Sequence, residues 1–356
     1  MAVLNEEQEM LRDMAREWTT NESPVIEWRK VRTSGDPKAF DASAYATMAE
    51  MGWAGIIIPE SYGGSDFGWL SAGLVVEELG KTLTASPLVA CTLAASAIVM
   101  GGSDKQKERW LPRLASGDAI ATLAIDETAR HDPKNFACQV ADGKLSGTKA
   151  FVHEAHGADL FVVAAADGLY LVEAGAGVSL ETRSLADQRS HAQLTFENAP
   201  ADKLASGKDI LLDDVLDRAR VLTACEMLGM AQQVFDTTLD YLKQRVQFNQ
   251  VLATFQALQH RMADLFADLA MMRSAVEGGL QALDAGFRPG LAATMAKAEA
   301  NRVLNLVSRE GIQLHGGIGM TDEYDVGFYL KRARVLEASF GSVSFLKDRY
   351  AALSGY

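Results

Sequence analysis

The chain has 356 residues, 48% of them hydrophobic and 23% charged, enough to bury a large core in two or three structural units. A formal net charge of −13 excludes nucleic acid and anionic membrane as principal partners. Cys91, Cys138 and Cys225 are far apart and form no CxxC pair, so they read as buried thiols in a reducing, cytoplasmic setting, not as disulfides or metal ligands.

Residues 1–120 carry helical spacing, with Leu4, Met10, Leu11 and Met14 opening the pattern. The N-terminal run has no basic region followed by an apolar stretch, so it reads as an amphipathic helix and not as a signal peptide. Ser43–Met51 and Leu70–Leu83 continue the helical pattern, with Pro59–Gly64 as a loop between them. Leu88–Met100 is apolar but too short to span a bilayer, and no membrane span is expected. Asp104 is the expected cap of a helix over Lys105–Leu114.

Near residue 120 the texture changes. Ala119–Ile125, Phe136–Val140, Lys144–Leu145, Ala150–His153, Leu160–Ala164, Leu169–Glu173 and Gln193–Phe196 are short runs bounded by turn residues. Asp142-Gly143 marks a hairpin. Helical period then returns over Asp213–Arg245, Phe255–Ala285, Gly290–Glu310 and Glu323–Tyr350. Long helices joined by short turns predict an antiparallel four-helix bundle. The expected fold is therefore α+β: an N-terminal helical domain (1–120), a small antiparallel β domain (121–205) and a C-terminal four-helix bundle (206–356).

Six motifs occur along this frame: Ile58-Pro59-Glu60-Ser61-Tyr62-Gly63-Gly64, Glu77-Glu78-Leu79-Gly80, the Trp110–Gly117 run, the Asp142–Lys149 run, Arg245-Val246-Gln247-Phe248, and Gln313-Leu314-His315-Gly316-Gly317. In this order they resemble the acyl-CoA dehydrogenase family over nearly the whole chain. The resemblance implies FAD as cofactor, an acyl-CoA substrate, a dimer or tetramer, and an electron-transfer flavoprotein as electron acceptor. Arg245 would contact the FAD diphosphate of a neighbouring subunit, since a guanidinium binds two phosphate oxygens as a fork. Phe248, Phe255 and Gln256 would line that pocket. Gln313, Gly316 and Gly317 would pass the ADP half, with glycine permitting close backbone approach.

The family's chemistry needs a base for the weakly acidic α-proton. The usual Glu of a Glu-Gly-Thr segment is replaced here by Phe340, followed by Gly341-Ser342. The alternative base position, ten residues before Gly229, holds Ala219, although the neighbouring Arg220 matches. Glu337, one helical turn before Phe340, is the first substitute candidate, and Glu226, on the same helix face as Ala219, is the second. Asp217 faces elsewhere. On the flavin-ring side, Asp126 stands where the family has a hydrogen-bonding threonine. Phe151 and His153 stand in the family's Trp-Ile-Thr segment and keep a stacking face and a hydrogen-bonding group. The six histidines show no metal spacing, and no metal is expected.

The residues that serve a neighbour's FAD are therefore kept, while those that hold a flavin and do the chemistry are altered. This division fits a subunit of a heteromer, as in related bacterial enzymes acting on steroid side chains. The alternatives are a non-catalytic, FAD-lending structural subunit and a flavin oxidase or monooxygenase on the same scaffold.

Overall fold

The computed structural model describes residues 3–205 and 208–356. Six helices come first: α1 (Glu6–Asn21), α2 (Val25–Ser34), α3 (Ala42–Glu50), α4 (Gly68–Lys81), α5 (Leu88–Gly101) and α6 (Asp104–Ala115). Eight strands follow: β1 (Ala121–Ala124), β2 (Gln139–Ala141), β3 (Lys144–His153), β4 (Leu160–Ala165), β5 (Gly168–Glu173), β6 (Val178–Thr182), β7 (His191–Pro200) and β8 (Asp202–Lys203). The chain ends in α7 (Lys208–Gln244), a small ribbon of β9 (Val246–Gln247) and β10 (Gln250–Val251), then α8 (Gln256–Ala285), α9 (Pro289–His315), α10 (Val326–Ala338) and α11 (Val343–Leu353). No helix among the described residues is long and apolar enough to cross a membrane.

Capping chemistry sets several boundaries. Asn5 accepts from the Gln8 amide while the Gln8 side chain accepts from the Asn5 amide, a reciprocal box that starts α1. Ser103 and Gln106 make the same box for α6. The cap of α6 is therefore Ser103, and Asp104 is its first helical residue. The fourth predicted helical segment, Glu323–Tyr350, is split into α10 and α11. The break falls where Phe340 (φ 57°) and Gly341 (φ 122°) turn left-handed.

By contact the chain groups into two compact units. The first holds Met1–Val25, Gly73–Thr84 and Arg220–Tyr356. Within it, α4 and α7 cross at two glycines. A Cβ on Gly229 would lie 1.9 Å from the Glu77 carbonyl oxygen, and one on Gly80 would lie 2.3 Å from the Glu226 carbonyl oxygen. Arg273 of α8 forks onto Glu77 at 2.8 and 3.1 Å.

The second unit holds Ile26–Ala72 and Ala85–Ala219. It contains two four-stranded sheets, ordered β1-β4-β5-β8 and β2-β3-β7-β6. Phe161, Val163 and Val172 from the first share one core with Leu145, Leu194 and Phe196 from the second. The Asp142-Gly143 hairpin forms with both residues at positive φ, as a tight two-residue turn requires. The sheets are antiparallel except where β1 pairs β4 in parallel, Ala121 opposite Leu160. The chain between those strands, which carries β2 and β3, is long enough for that crossover.

Candidate functional site

The sequence-predicted diphosphate shelf belongs to the first unit. Arg245 follows the last residue of α7 and is exposed; its amide donates to Tyr241 O at 2.9 Å, and its carbonyl accepts from Leu252 N at 2.9 Å. Those bonds fix the ribbon that begins next to it. Phe248 and Asn249 form the ribbon's turn at φ 54° and 62°. Asparagine tolerates this region, whereas phenylalanine is strained there, and such strain gathers at binding sites. Phe248 is 85% exposed and meets Phe255 edge to face, ring centres 6.2 Å apart. Gln256, the first residue of α8, is exposed.

The other half of the shelf is the C-terminal end of α9. Gln313, Gly316 and Gly317 are exposed. Gly316 caps the helix at φ 67° and ψ −141°, and a Cβ on either glycine would meet nothing within 4 Å. Tyr241 joins the halves. Its ring stacks on His315 at 4.4 Å, and its hydroxyl donates to the His315 carbonyl at 3.3 Å. Tyr324 packs against both rings. The sequence patterns did not single out Tyr241 or His315. The available signal was position: Tyr241 lies one turn before Arg245, and His315 directly precedes Gly316. An exposed guanidinium, open glycine backbone and the strained, exposed Phe248 fit a nucleotide diphosphate such as that of FAD.

Phe340 sits half-buried between α10 and α11, with its backbone gripped from several sides. Arg220 Nε donates to Phe340 O at 3.1 Å. Lys297 Nζ donates to Leu336 O at 2.9 Å and to Asn301 Oδ1 at 2.6 Å. Asn301 Nδ2 donates to Glu337 O at 3.4 Å and to Gly341 O at 3.3 Å. These donors satisfy carbonyls that the end of α10 leaves open. Arg220, Lys297 and Asn301 are all buried. Burial, together with the charge of Arg220, pushes the Lys297 amine down to about 7, against the pull of Glu337.

The two substitute carboxylates are both engaged. Glu337 accepts from Asn305 Nδ2 at 2.6 Å and from Arg334 Nη1 at 2.8 Å. It lines a groove of about 1220 Å³ that also carries Met271, Met295 and Tyr350. Glu226 pairs with Arg332 at 2.8 and 3.2 Å. Ala219 is fully buried, and Asp217 is buried beside it in sequence on α7.

The ring-side residues belong to the second unit. Asp126 Oδ1 lies 2.7 Å from His131 Nδ1. The neighbouring Glu127 accepts from the amides of Ala137 and Cys138 at 2.6 and 3.0 Å and pairs with Lys149 Nζ at 2.8 Å. Lys149 is fully buried; its amine also donates to Ile125 O at 2.9 Å and lies over the Phe136 ring. Burial lowers the Lys149 pKa, and its bond to Glu127 opposes that shift. This staple ties the 125–138 loop to β3. Phe151 occupies a bulge of β3 at φ 52°. His153 stands opposite His191, with Nδ1 3.2 Å from His191 Nε2. His191 Nδ1 lies 3.1 Å from the Arg189 carbonyl, which can only accept. Neutral His191 therefore carries its proton on Nδ1 and accepts from His153 Nδ1–H.

Comparisons with known proteins agree with this frame. The family model "Acyl-CoA dehydrogenase, N-terminal domain" matches residues 5–118, and "Acyl-CoA dehydrogenase, C-terminal domain" matches residues 206–352. The chain is 32% identical over 331 residues to "Acyl-CoA dehydrogenase IpdE2" of Mycobacterium tuberculosis, covering 92% of this chain and 91% of that one. It is similar to the solved Tcur3481-Tcur3483 steroid ACAD, with 31% identity, 98% coverage of both chains and a TM-score of 0.92. The fold is also that of the ChsE4-ChsE5 complex of Mycobacterium tuberculosis, at 24% identity, full coverage of both chains and a TM-score of 0.92. The chain belongs to the acyl-CoA dehydrogenase family, FAD-dependent oxidoreductases that act on the CH–CH bond of acyl-CoA thioesters.

Proposed function

We propose that this chain is one subunit of a heteromeric acyl-CoA dehydrogenase, lending Arg245 and the Gln313–Gly317 shelf to a flavin whose catalytic base stands on a companion subunit. The observation that carries this is Phe340. The turn around it is held by Arg220, Lys297 and Asn301, yet its side chain has no group that takes a proton. A relocated base within the chain is less well supported, because Glu337 and Glu226 already serve Arg334 and Arg332. The name of the Tcur3481-Tcur3483 steroid ACAD pairs two gene products, which accords with shared duties in a relative at 31% identity.

In this role Arg245 binds the diphosphate as a fork, Gly316 and Gly317 let the backbone approach it, and Phe248 and Phe255 offer ring faces that exclude water. FAD bound there would supply the acceptor for the β-hydrogen of the acyl thioester, which leaves as hydride. The ring-side residues Asp126, His131, Phe151 and His153 would serve a separate flavin, not the one that Arg245 holds for its neighbour. The substrate is an acyl-CoA, and an electron-transfer flavoprotein takes the electrons onward. A cytoplasmic setting accords with three buried, free thiols.

The test is to purify the chain alone and with a companion that carries the Glu-Gly-Thr segment, then to count flavin and measure acyl-CoA turnover. Turnover only in the complex is expected. Full flavin occupancy with full turnover by the lone chain contradicts the division of labour.

A further inference from the structure

A hollow of about 240 Å³ lies in the second unit, between the end of α2 with the turn after it and the loop that joins β6 to β7. Its lining is buried at Arg189 and Ser190 and exposed at Asp36, on the rim. Arg183 N donates to His191 O at 2.8 Å, which extends the β6–β7 pairing and closes the loop. Trp28 and Arg32 lie one turn apart on α2 and share a face. The Arg189 guanidinium sits 4.7 Å over the Trp28 ring and pins the loop to that face. Arg32, Arg183 and Arg189 thus line one small hollow in a chain of net charge −13. Asp36 is the one carboxylate among the described lining residues. Arg183 gives Nη1 to Glu181 at 2.8 Å and Nη2 to Gln193 at 2.6 Å, which leaves others of its five N–H donors. Asp187 accepts from the Arg189 amide at 3.3 Å. Ser190 also lines the hollow, is 3% exposed, and has a hydroxyl with no partner within the protein. Native interiors rarely leave such a group unpaired. Gathering three cations costs Coulomb energy that a bound anion offsets.

We propose that this hollow binds a phosphoryl group, as free phosphate or as the end of a small phosphomonoester. Guanidinium forks match phosphate oxygens in pairs. A carboxylate is satisfied by one fork, whereas a phosphate has acceptors enough for several guanidiniums and a hydroxyl. The volume is below the roughly 300–1,000 Å³ of pockets for drug-sized ligands, so little beyond the phosphate enters. Asp36 on the rim repels further negative charge and sets the site against polyphosphates. The site needs neither a flavin nor a companion subunit, so it stands or falls apart from the function proposed above.

The experiment is calorimetry of the full chain with inorganic phosphate, glycerol 3-phosphate and acetate, joined to NMR of the chain labelled at histidine. Phosphate should bind far more tightly than acetate. His191, which lines the hollow, should shift on binding, while His260 on α8 stays in place. Arg183→Gln and Arg32→Gln should each weaken phosphate binding by about tenfold, the loss of one charge-assisted hydrogen bond. Both variants keep Arg189 on Trp28, and thermal unfolding checks that they fold. Tighter binding of glycerol 3-phosphate assigns the site to an ester, and tighter binding of phosphate assigns it to the free ion; both support the proposal. No phosphate binding by the folded parent overturns it, as do equal affinity for acetate, full affinity in both variants, or an unmoved His191.

Discussion

Tyr241 and His315 stack face to face, ring centres 4.4 Å apart and planes 28° from parallel, and this contact ties the end of α7 to the end of α9. One partner sits a turn before Arg245, the other a residue before Gly316. The shelf's cation and its glycines are therefore held in one geometry by a ring contact between their neighbours.

Tyr241→Ala should loosen that geometry while leaving every shelf residue in place. An aromatic pair is worth about 0.5–1.5 kcal/mol beyond its buried area. Flavin or ADP affinity should fall by about two- to tenfold, read by calorimetry. Tyr241→Phe keeps the stack and loses only the 3.3 Å bond to the His315 carbonyl, so it should fall less. Equal losses in both variants would mean that the hydroxyl, not the stack, does the tying.

Phe340→Glu should fold. The position already tolerates a non-glycine residue at φ 57°, and the bonds from Arg220 and Asn301 reach backbone, not the side chain. The variant places a carboxylate where the resemblance puts the family's base. Flavin-dependent turnover of an acyl-CoA should rise by about a hundredfold over the parent, the low end of general-base effects. A folded, flavin-bearing variant with unchanged turnover would show that the rest of the chemistry is also missing.

Lys297 sets a pH dependence with a definite sign. Its folded pKa is about 7, below the ordinary lysine value of 10.5. Between those values the unfolded chain binds the extra proton, so stability rises as pH increases across this window. The slope from one proton is up to about 1.4 kcal/mol per pH unit. Denaturant unfolding at several pH values should show the rise in the parent, and Lys297→Met should flatten it. A parent curve that is level or falling over this range contradicts the assignment. The two acceptors of Lys297 remain satisfied above the transition, because a neutral amine keeps two N–H donors.

Gly229→Ala should be strongly destabilising. Its Cβ would stand 1.9 Å from the Glu77 carbonyl oxygen, which is backbone and cannot swing away. Overpacking of this kind costs about 1–3 kcal/mol, and more where backbone must move. Gly278→Ala is the control, since nothing lies within 4 Å of its Cβ position. Thermal unfolding of the two variants measures the difference directly.

The parts legible in the sequence were those whose cause is local. The α7, α8 and α9 segments announced themselves by period, and the Asp142-Gly143 hairpin by turn chemistry. Arg245 and Gly316 stood out through motif order. What stayed hidden has causes distant in the chain. The break at Phe340 depends on Arg220, Lys297 and Asn301, which lie far away on α7 and α9. Strand β6 is an exposed edge with almost no apolar face, so nothing marked it. Lys149 reads as a surface residue until Glu127 and the Phe136 ring bury it. The bond between Tyr241 and His315 spans 74 residues, and no spacing rule reaches that far.

The most direct measurement compares flavin retention by the chain, alone and in its complex, before and after Arg245→Ala. The account predicts a yellow complex that loses most of its flavin on gel filtration when this one guanidinium is removed, while the fold stays intact by circular dichroism. Flavin retained in full by the folded variant would contradict it.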